Sequence, residues 1–354
     1  MSREDDIEAF GGFDALGSET VRPFAPEELV ACDVCLRANA PTRTACLYCG
    51  AALSRTEQGA SLRRPTLKKL EEWEQGFNVV TLPRAAGALT SDAAEEAASL
   101  LRLDVGGLKE IVLAGRAMPL ARAASADEAW LIVERLRELG LGTEVFPDEV
   151  LARRPVRVRA FEFEEDALVC RAGPEAEPRR VAWSEVVLLV TGRVVSRRVE
   201  VSERKRGLGG RSETVDTREL ASDETVLDLY TSSVDEHDVQ GTGGAGFRVM
   251  SGGFDYSCLG ADKRLVTGEN FNVLVAALRE RAPSAAHDEE YARLRPLLSD
   301  VWPSAERTES LGLRRERPGR FNTEAVTTVS NEIQFTRYAR LRHLLVLRAR
   351  AEKK

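Results

Sequence analysis

Two closely spaced CxxC pairs near the beginning of the chain restrict its folding more than any other feature. Cys32 and Cys35 form the first pair, and Cys46 and Cys49 form the second after ten intervening residues. Each pair can occupy a tight turn that directs two thiolates to one point, so the two turns supply four soft ligands. This spacing predicts a tetrahedral Zn²⁺ site. Because four protein ligands leave no open position for water or substrate, we expect the zinc ion to organise the chain rather than to catalyse a reaction.

The residues around the cysteines follow the pattern C-x2-C-x3-N-x6-C-x2-C, with Asn39 at the internal position and Gly50 after the last cysteine. This pattern resembles the short zinc ribbons of bacterial multidomain proteins. It also resembles RanBP2-type fingers, some of which bind single-stranded RNA or ubiquitin. Those fingers usually carry a tryptophan where this chain has Val30 and Ala31. We therefore expect a zinc ribbon at residues 31–52 whose folding free energy comes almost wholly from metal binding.

Composition sets bounds on the rest of the chain. The 354 residues are 43% hydrophobic and 30% charged, which is typical of a soluble protein with two or three domains. No apolar run approaches the roughly 18 residues that a membrane helix needs. Residues 1–30 carry eight acids and two bases, so we expect a disordered acidic tail and no signal peptide. The other two cysteines, Cys170 and Cys258, lie in apolar contexts, and this usage indicates a reducing cytoplasm.

Residues 76–147, after a polar linker at 53–75, predict a small domain with the order β-α-α-β-α-β. The first strand begins at Phe77, and Ser91 can cap the first helix. A second helix follows the break at Gly106 and Gly107, and residues 125–128 form a capping box for a third helix. Strands precede and follow that third helix.

This order and several residues resemble the C-terminal domain of the bacterial ribosomal stalk protein, whose fold is shared with the N-degron adaptor ClpS. The matching positions are residues 77–80 (FNVV), 107–110 (GLKE), Pro119, Ala129, Leu136, Gly140 and 144–145 (EV). In the stalk domain, basic residues on the first helix and near the GLKE turn help contact translation factors. Lys109 matches one such position, but Ala98 and Leu101 replace two others. The resemblance therefore implies the fold without the ribosomal role.

Residues 155–282, beyond a short connection, change to a period of two that predicts strands. The predicted strands are VRVRAFEF, ALVCRA, a long run containing VTGRVVSRRVEV, ETVLDLYT, FRVMS and the segment from Tyr256 to Leu259. A helix that begins near Thr267 carries Phe271, Leu274, Val275 and Leu278 on one face. Antiparallel strands closed by one such helix resemble the pleckstrin-homology-like superfold. The resemblance implies an antiparallel β-barrel with a C-terminal capping helix.

A polar stretch at residues 202–224 interrupts these strands. Arg204, Lys205 and Arg206 precede its glycine-rich run. In some pleckstrin-like relatives a basic hairpin tip at this place holds phosphoinositide headgroups, which makes an anionic membrane surface a candidate partner. The alternative is a mobile, solvated loop.

Residues 283–354 predict a charged tail. A short helix precedes Trp302, and the segment ERTESLGLRRERPGR predicts a charged loop. The last stretch predicts a basic amphipathic helix, because residues 337–354 carry seven bases and one acid. Its apolar side chains on or near one face are Ile333, Tyr338, Leu341, Leu344 and Leu345. Such a helix can dock on its own chain, enter a partner's groove or lie on an anionic membrane, and docking in cis is the commonest fate.

The sequence contains none of the common catalytic motifs. His237, His287 and His343 lie in predicted loops or in the tail, without a grouping of cysteines or carboxylates around them. The glycine-rich segment 241–246 lacks the lysine and the helix of a phosphate-binding loop. We therefore expect a non-enzymatic interaction or scaffold protein that binds other proteins.

Two other functions stay open at this point. The chain could be a nucleic-acid-associated regulator that uses the basic C-terminal helix and the ribbon, with Arg37, Arg43 and Tyr48 as base-contacting side chains. It could also be a peripheral membrane adaptor that uses the basic stretch or the C-terminal helix. The net charge of −7 and the isoelectric point near 5.4 favour the scaffold.

Overall fold

The computed structural model describes residues 24–43, 45–51, 53–54, 67–71, 74–83, 89–205, 212–232, 246–317 and 320–352. The chain divides into two compact units, Met1–Arg64 and Pro65–Lys354. Most of the predicted acidic tail lies outside the described residues, as do residues 241–245 of the glycine-rich segment. In the first unit, a short 3₁₀ helix (Pro26–Glu28) precedes β1 (Val30–Ala31) and β2 (Ala38–Asn39), which pair antiparallel.

The second unit begins with the predicted β-α-α-β-α-β order. Its elements are β3 (Phe77–Thr81), α1 (Ser91–Leu101), α2 (Val105–Leu113), β4 (Met118–Ala123), α3 (Ala126–Glu138) and β5 (Thr143–Pro147). The three strands form an antiparallel sheet with β3 in the centre. The side chains of Thr90, Asp104 and Ser125 accept hydrogen bonds from backbone N–H groups at the starts of the three helices. The element order is therefore confirmed, with Thr90 rather than Ser91 as the first cap.

The remaining strands form two further sheets. They are β6 (Val156–Val158), β7 (Ala160–Phe163), β8 (Ala167–Arg171), β9 (Arg179–Ala182), β10 (Val186–Lys205), β11 (Ser212–Thr231), β12 (Gly246–Met250), β13 (Ala286–Asp288), β14 (Ala305–Arg317) and β15 (Arg320–Ser330). The large sheet has the order β14-β15-β10-β11-β12-β6, with β13 also paired to β10, whereas β7, β8 and β9 form a separate antiparallel sheet.

This topology differs from the predicted antiparallel barrel. The order of the large sheet is an open path among the described strands, and both β12–β6 and β10–β13 pair in parallel. The predicted strand VRVRAFEF is divided between two sheets, since β6 joins the large sheet and β7 the small one. The chain is a mixed α/β protein with several sheets.

The helices complete the second unit. They are α4 (Asp148–Leu151), α5 (Thr267–Arg281), α6 (Tyr291–Leu298) and α7 (Glu332–Ala351), together with 3₁₀ helices at Trp183–Glu185 and Tyr256–Asp262. The second 3₁₀ helix corrects the strand predicted from Tyr256 to Leu259. Its short apolar run does not distinguish a strand from a helical turn.

The longest strands build a projecting structure that the sequence did not predict. β10 and β11 contain 20 residues each, and their far halves continue into a four-stranded ribbon through the pairing of β10 with β15 and of β15 with β14. We call residues 196–205, 212–222, 305–317 and 320–330 the arm. The predicted loops at 202–224 and 306–320 are therefore wrong where these strands are described. Their charged residues pair with one another, as Arg197 and Glu219 do at 2.7 Å, so they need no apolar face.

Two apolar cores hold the second unit. One joins the β-α-α-β-α-β region to β10, α6 and α7, and among its fully buried members are Leu108, Ile132, Val190, Trp302 and Leu341. The other lies among β6 to β12 and α5, where Phe271, Leu274 and Leu278 are buried as predicted. Since α7 lies in the first core, its docking in cis is confirmed.

Three buried carboxylates anchor α7 to distant parts of the chain. Asp148 pairs with Arg337 at 3.3 Å. Asp288 accepts hydrogen bonds from the Tyr338 hydroxyl at 2.7 Å and from Arg342 Nε at 2.8 Å. The third carboxylate, Asp228, accepts two hydrogen bonds of 2.7 Å from Arg248. Arg248 also contacts Thr336 and Glu332 on α7, so it links the helix to this carboxylate. A buried charge without its partner costs several kcal/mol, so these contacts fix the position of α7.

His343 of α7 is fully buried, so its predicted place in a charged tail is corrected to a helix in the core. Arg340 can only donate, so it donates to Nδ1 of His343 at 2.6 Å, and Nε2–H donates to the Thr231 carbonyl at 2.9 Å. The ring also stacks on Tyr230. Burial, aided by the charge of Arg340, lowers the pKa of His343 from 6.5 to about 4.

We expect the substitution Leu341→Ala to destabilise the second unit by about 2–5 kcal/mol, because it removes a fully buried side chain from the core that α7 completes. Leu113→Ala is the matched control, since Leu113 is a helical leucine that is 83% exposed. Its cost should stay within about 0.5 kcal/mol. Equilibrium urea unfolding measures both. Equal effects would show that α7 is not part of the cooperative core.

Acidification should weaken the fold through His343. The unfolded chain binds this proton below about pH 6.5 and the folded state only below about pH 4, so stability falls as the pH drops through that window. Between pH 7 and 4.5 the loss due to this group is on the order of 2 kcal/mol. We expect the His343→Gln variant to be less stable than the wild type at pH 7. Because it lacks the titrating imidazole, its loss of stability on acidification should be smaller than that of the wild type by the same amount. Urea unfolding at several pH values measures the difference, and parallel pH profiles would contradict the assignment.

Candidate metal centre

The two CxxC pairs form equivalent turns. In the first, the Cys32 N–H donates to the Arg37 carbonyl at 3.0 Å, and the Leu36 N–H donates to the Cys32 carbonyl at 2.8 Å. The second repeats both bonds at the same spacing, from Cys46 to Ala51 and from Gly50 to Cys46. Each turn needs a left-handed residue after its second cysteine, and Leu36 (φ 58°) and Gly50 (φ 74°) supply it.

The turns bring all four sulfur atoms together, so the grouping predicted from the sequence is confirmed. The Sγ atoms lie within 4.8 Å of one another, with 3.6 Å between Cys32 and Cys49 and 3.5 Å between Cys35 and Cys46. Four thiolates about 2.3 Å from a tetrahedral ion would stand about 3.8 Å apart. The cluster therefore fits a metal ion held by four cysteines. No other such group of three or more His, Cys, Asp or Glu side chains occurs in the described ranges.

Asn39 connects the two turns and is 4% exposed. Its Nδ2 donates to the Arg37 carbonyl at 2.8 Å and to Cys46 Sγ at 3.5 Å, while its Oδ1 accepts from the Leu47 N–H at 2.8 Å. One side chain thus holds the ends of both turns and contacts one ligand. This explains the asparagine at the internal position of the sequence pattern.

Hydrogen bonds also favour the metal-binding form of Cys46. Burial opposes ionisation, but donors that include the backbone N–H groups of Tyr48 and Cys49 outweigh it and lower the pKa of Cys46 to about 6. The thiolate is the form that binds metal. In contrast, burial raises the pKa of Cys170 well above its usual value and that of Cys258 to about 11. These two thiols are therefore poor nucleophiles.

Around this cluster the ribbon presents apolar side chains to solvent. Among the described residues of the ribbon, the apolar cluster is small and consists of Cys32, Cys46 and Leu53, with Cys35 and Ala51 packed against it. Four side chains that lie between or beside the ligands are 54–80% exposed: Val34, Leu36, Leu47 and Tyr48. We call these four the knuckle patch. The patch follows from the closed cluster, because turns that direct their thiolates inward leave the intervening side chains outside.

The other predicted binding residues are placed differently. Arg204 and Lys205 lie at the end of β10, and Arg206 lies outside the described residues. Of the ribbon side chains predicted to contact RNA bases, Arg37 stacks on the ring of Tyr48 at 4.7 Å, and Arg43 Nε donates to the Ala45 carbonyl.

The basic residues of α7 contact the chain itself. Arg337 and Arg342 pair with buried carboxylates, and Arg348 pairs with Glu144. Arg350 donates to the Ser284 carbonyl. Much of the positive charge that the sequence predicted for the C-terminal helix is therefore bound to partners within the chain.

Compared with protein-family models, with curated proteins and with solved structures, the chain matches none. The resemblances to zinc ribbons, to the ribosomal stalk domain and to pleckstrin-like barrels therefore stay predictions beyond the cysteine cluster and the element order. Among the described helices, none combines the length and the apolar character needed to cross a membrane.

We expect Asn39→Ala to weaken metal binding by about 10- to 100-fold, because it removes the contact that orients Cys46 and joins the two turns. Leu36→Gly should keep the affinity, since glycine adopts the left-handed conformation of that turn without strain. Competition with a chromophoric chelator measures both affinities. An unchanged affinity for Asn39→Ala would mean that the turns hold the ligands without it.

Proposed function

We propose that this protein is a non-enzymatic adaptor in which a zinc ribbon binds a partner protein through the knuckle patch. The observation that carries the proposal is the exposure of four apolar side chains on a module that has almost no apolar core of its own. Exposed apolar clusters on soluble proteins commonly mark interaction sites. Since the ribbon does not need these side chains for its own packing, partner binding gives them a role.

The chemistry of the cluster supports zinc in a structural role. Four thiolates in a closed tetrahedral arrangement suit Zn²⁺ and leave no open position for a substrate or water. The ion would therefore hold the two turns in place while the intervening side chains make contact. A reducing compartment such as the cytoplasm suits this role, because oxidation of the thiols would prevent metal binding.

The composition of the patch indicates what the partner looks like. Val34, Leu36 and Leu47 would each contribute on the order of 1.5–3 kcal/mol when fully buried, before the cost of association is subtracted. Tyr48 with Arg37 stacked on it is the aromatic and arginine pair that often dominates protein interfaces. The complementary partner surface is an apolar recess with a carboxylate at the edge that meets Arg37.

We propose that the second unit is the platform that carries this ribbon. The element order of residues 77–147 supports a fold like that of the ribosomal stalk domain and ClpS. Support for a pleckstrin-like domain at residues 155–282 is weaker and rests on strands followed by one amphipathic helix, because the large sheet is open and includes parallel pairs.

Two observations support protein binding, rather than RNA binding, as the role of the ribbon. One face of the Tyr48 ring is already covered by Arg37, and stacking on a base would have to displace that contact. The C-terminal helix, the other element in the nucleic-acid alternative, has most of its arginines bound to internal partners.

The triple substitution Val34→Ser, Leu47→Ser and Tyr48→Ser should abolish capture of the partner and keep the metal. Affinity purification of the tagged full-length chain from its native cell, followed by mass spectrometry, identifies the proteins retained. The control is Leu113→Ser, which changes a leucine outside the ribbon that is 83% exposed. A further variant, Cys32→Ser with Cys35→Ser, should lose the same proteins together with the metal.

The metal content of each purified variant separates a lost surface from a lost fold. The proposal predicts one zinc ion per chain in the triple variant and at least one protein that only the wild type and the control retain. It would be contradicted if the triple variant retained the metal and also every protein that the wild type captures.

A further inference from the structure

The strand register brings two basic segments together that lie about a hundred residues apart in the sequence. Arg204 of β10 is the register partner of Asn322 on β15, and Arg314 of β14 is the partner of the same Asn322. The hairpin-forming strands β10–β11 and β14–β15 therefore end side by side. We call residues 203–205, 212–213, 313–317 and 320–321 the arm end.

The arm end has an excess of positive charge. It contains six bases and three acids: Arg204, Lys205, Arg314, Arg315, Arg317 and Arg320, and Glu203, Glu213 and Glu316. The rest of the arm contains four bases and six acids. The net charge is therefore positive at the arm end and negative in the rest of the arm.

Several charges on and beside the arm, outside the arm end, are paired. Arg193 binds Asp223, Arg197 binds Glu219, and Arg307 binds Glu309, with distances of 2.5–2.9 Å. Such pairs keep the strands soluble and compatible with one another across the ribbon. The excess of bases at the arm end is thus a local feature and not a property of the whole arm.

The arm separates this charge from the core of the second unit. Val194 is the last buried residue of β10 among those whose burial is described, and Arg204 follows ten residues later, about 33 Å farther along the strand. Charges interact over only about 8–10 Å at physiological salt. Charges around that core therefore do not cancel the local field of the arm end.

We propose that the arm end binds the phosphate backbone of a nucleic-acid duplex. Four adjacent strands give the end a width of about 15 Å, close to the roughly 12 Å major groove that has phosphates along both edges. Guanidinium groups bind phosphate through paired hydrogen bonds. Because the binding depends on phosphates, it is independent of base sequence, with a dissociation constant in the micromolar range and a steep dependence on salt.

A membrane is the competing partner for a basic surface. Stable attachment to a bilayer usually combines several bases with inserted apolar groups. Leu313 and Phe321 are the apolar residues among those assigned to the arm end, against six bases. This scarcity of apolar groups favours the duplex.

Fluorescence anisotropy with a labelled 20-base-pair DNA duplex, at 50 and 200 mM salt, tests the proposal on the full-length protein. The end variant is Arg204→Ser, Arg314→Ser and Arg315→Ser. The matched control is Arg197→Ser, Arg198→Ser and Arg307→Ser, which changes the net charge by the same amount in the part of the arm outside the arm end. The lysine variant Arg204→Lys, Arg314→Lys and Arg315→Lys keeps the charge. Thermal unfolding checks the fold of each protein.

We expect the end variant to bind at least 10-fold more weakly than the wild type, with a shallower dependence on salt, and the control and lysine variants to bind within about threefold of the wild type. Equal weakening by the end variant and the control would overturn the proposal, because it would reflect net charge alone. Absence of wild-type binding at 50 mM salt would also overturn it. A third result would overturn it as well. In that result the wild type binds vesicles containing 30% phosphatidylserine but not the duplex, and the end variant does not bind the vesicles.

Discussion

Buried ionic contacts of the C-terminal helix α7 are the constraint on which the second unit depends. Its side chains reach Asp148 and Asp288 directly, and they reach Asp228 through Arg248. These carboxylates come from α4, β13 and β11, which are far apart in the sequence. A carboxylate in the interior is stable only when it is paired, so the three elements and the helix are held in one arrangement. Between the ionic contacts, Phe335 and Leu341 fill the apolar core.

The arm follows from this arrangement. β15 ends at Ser330, and α7 begins at Glu332, so docking of the helix fixes the position of the strand that pairs with β10. Once β15 is placed, β14 must lie beside it, and the two basic segments meet at the arm end. The ribbon obtains its order from metal ligands instead, with Asn39 between the two turns. The protein thus uses two independent means of ordering the surfaces that we propose bind partners.

Sequence reasoning succeeded where the deciding interactions are local. The cysteine cluster follows from two turns of fixed chemistry, and the helices between residues 91 and 138 follow from caps and apolar spacing. It failed where the partners are distant in the sequence. Gln334, Arg340 and His343 look like the polar side of an amphipathic helix, but their partners include Trp302, Val150 and Thr231. Similarly, the charged strands of the arm lack an apolar pattern, because their pairing partners are visible only in the register.

Hydrogen–deuterium exchange followed by mass spectrometry tests most directly whether α7 holds the second unit together. The amides of α7 from Phe335 to His343 should exchange as slowly as those of β10 from Val186 to Val194, because both would open only when the whole unit unfolds. The amides of the arm end should exchange much faster. Rapid exchange in α7 while β10 stays protected would contradict the account, since the helix would then be an attached element and not the one on which the fold depends.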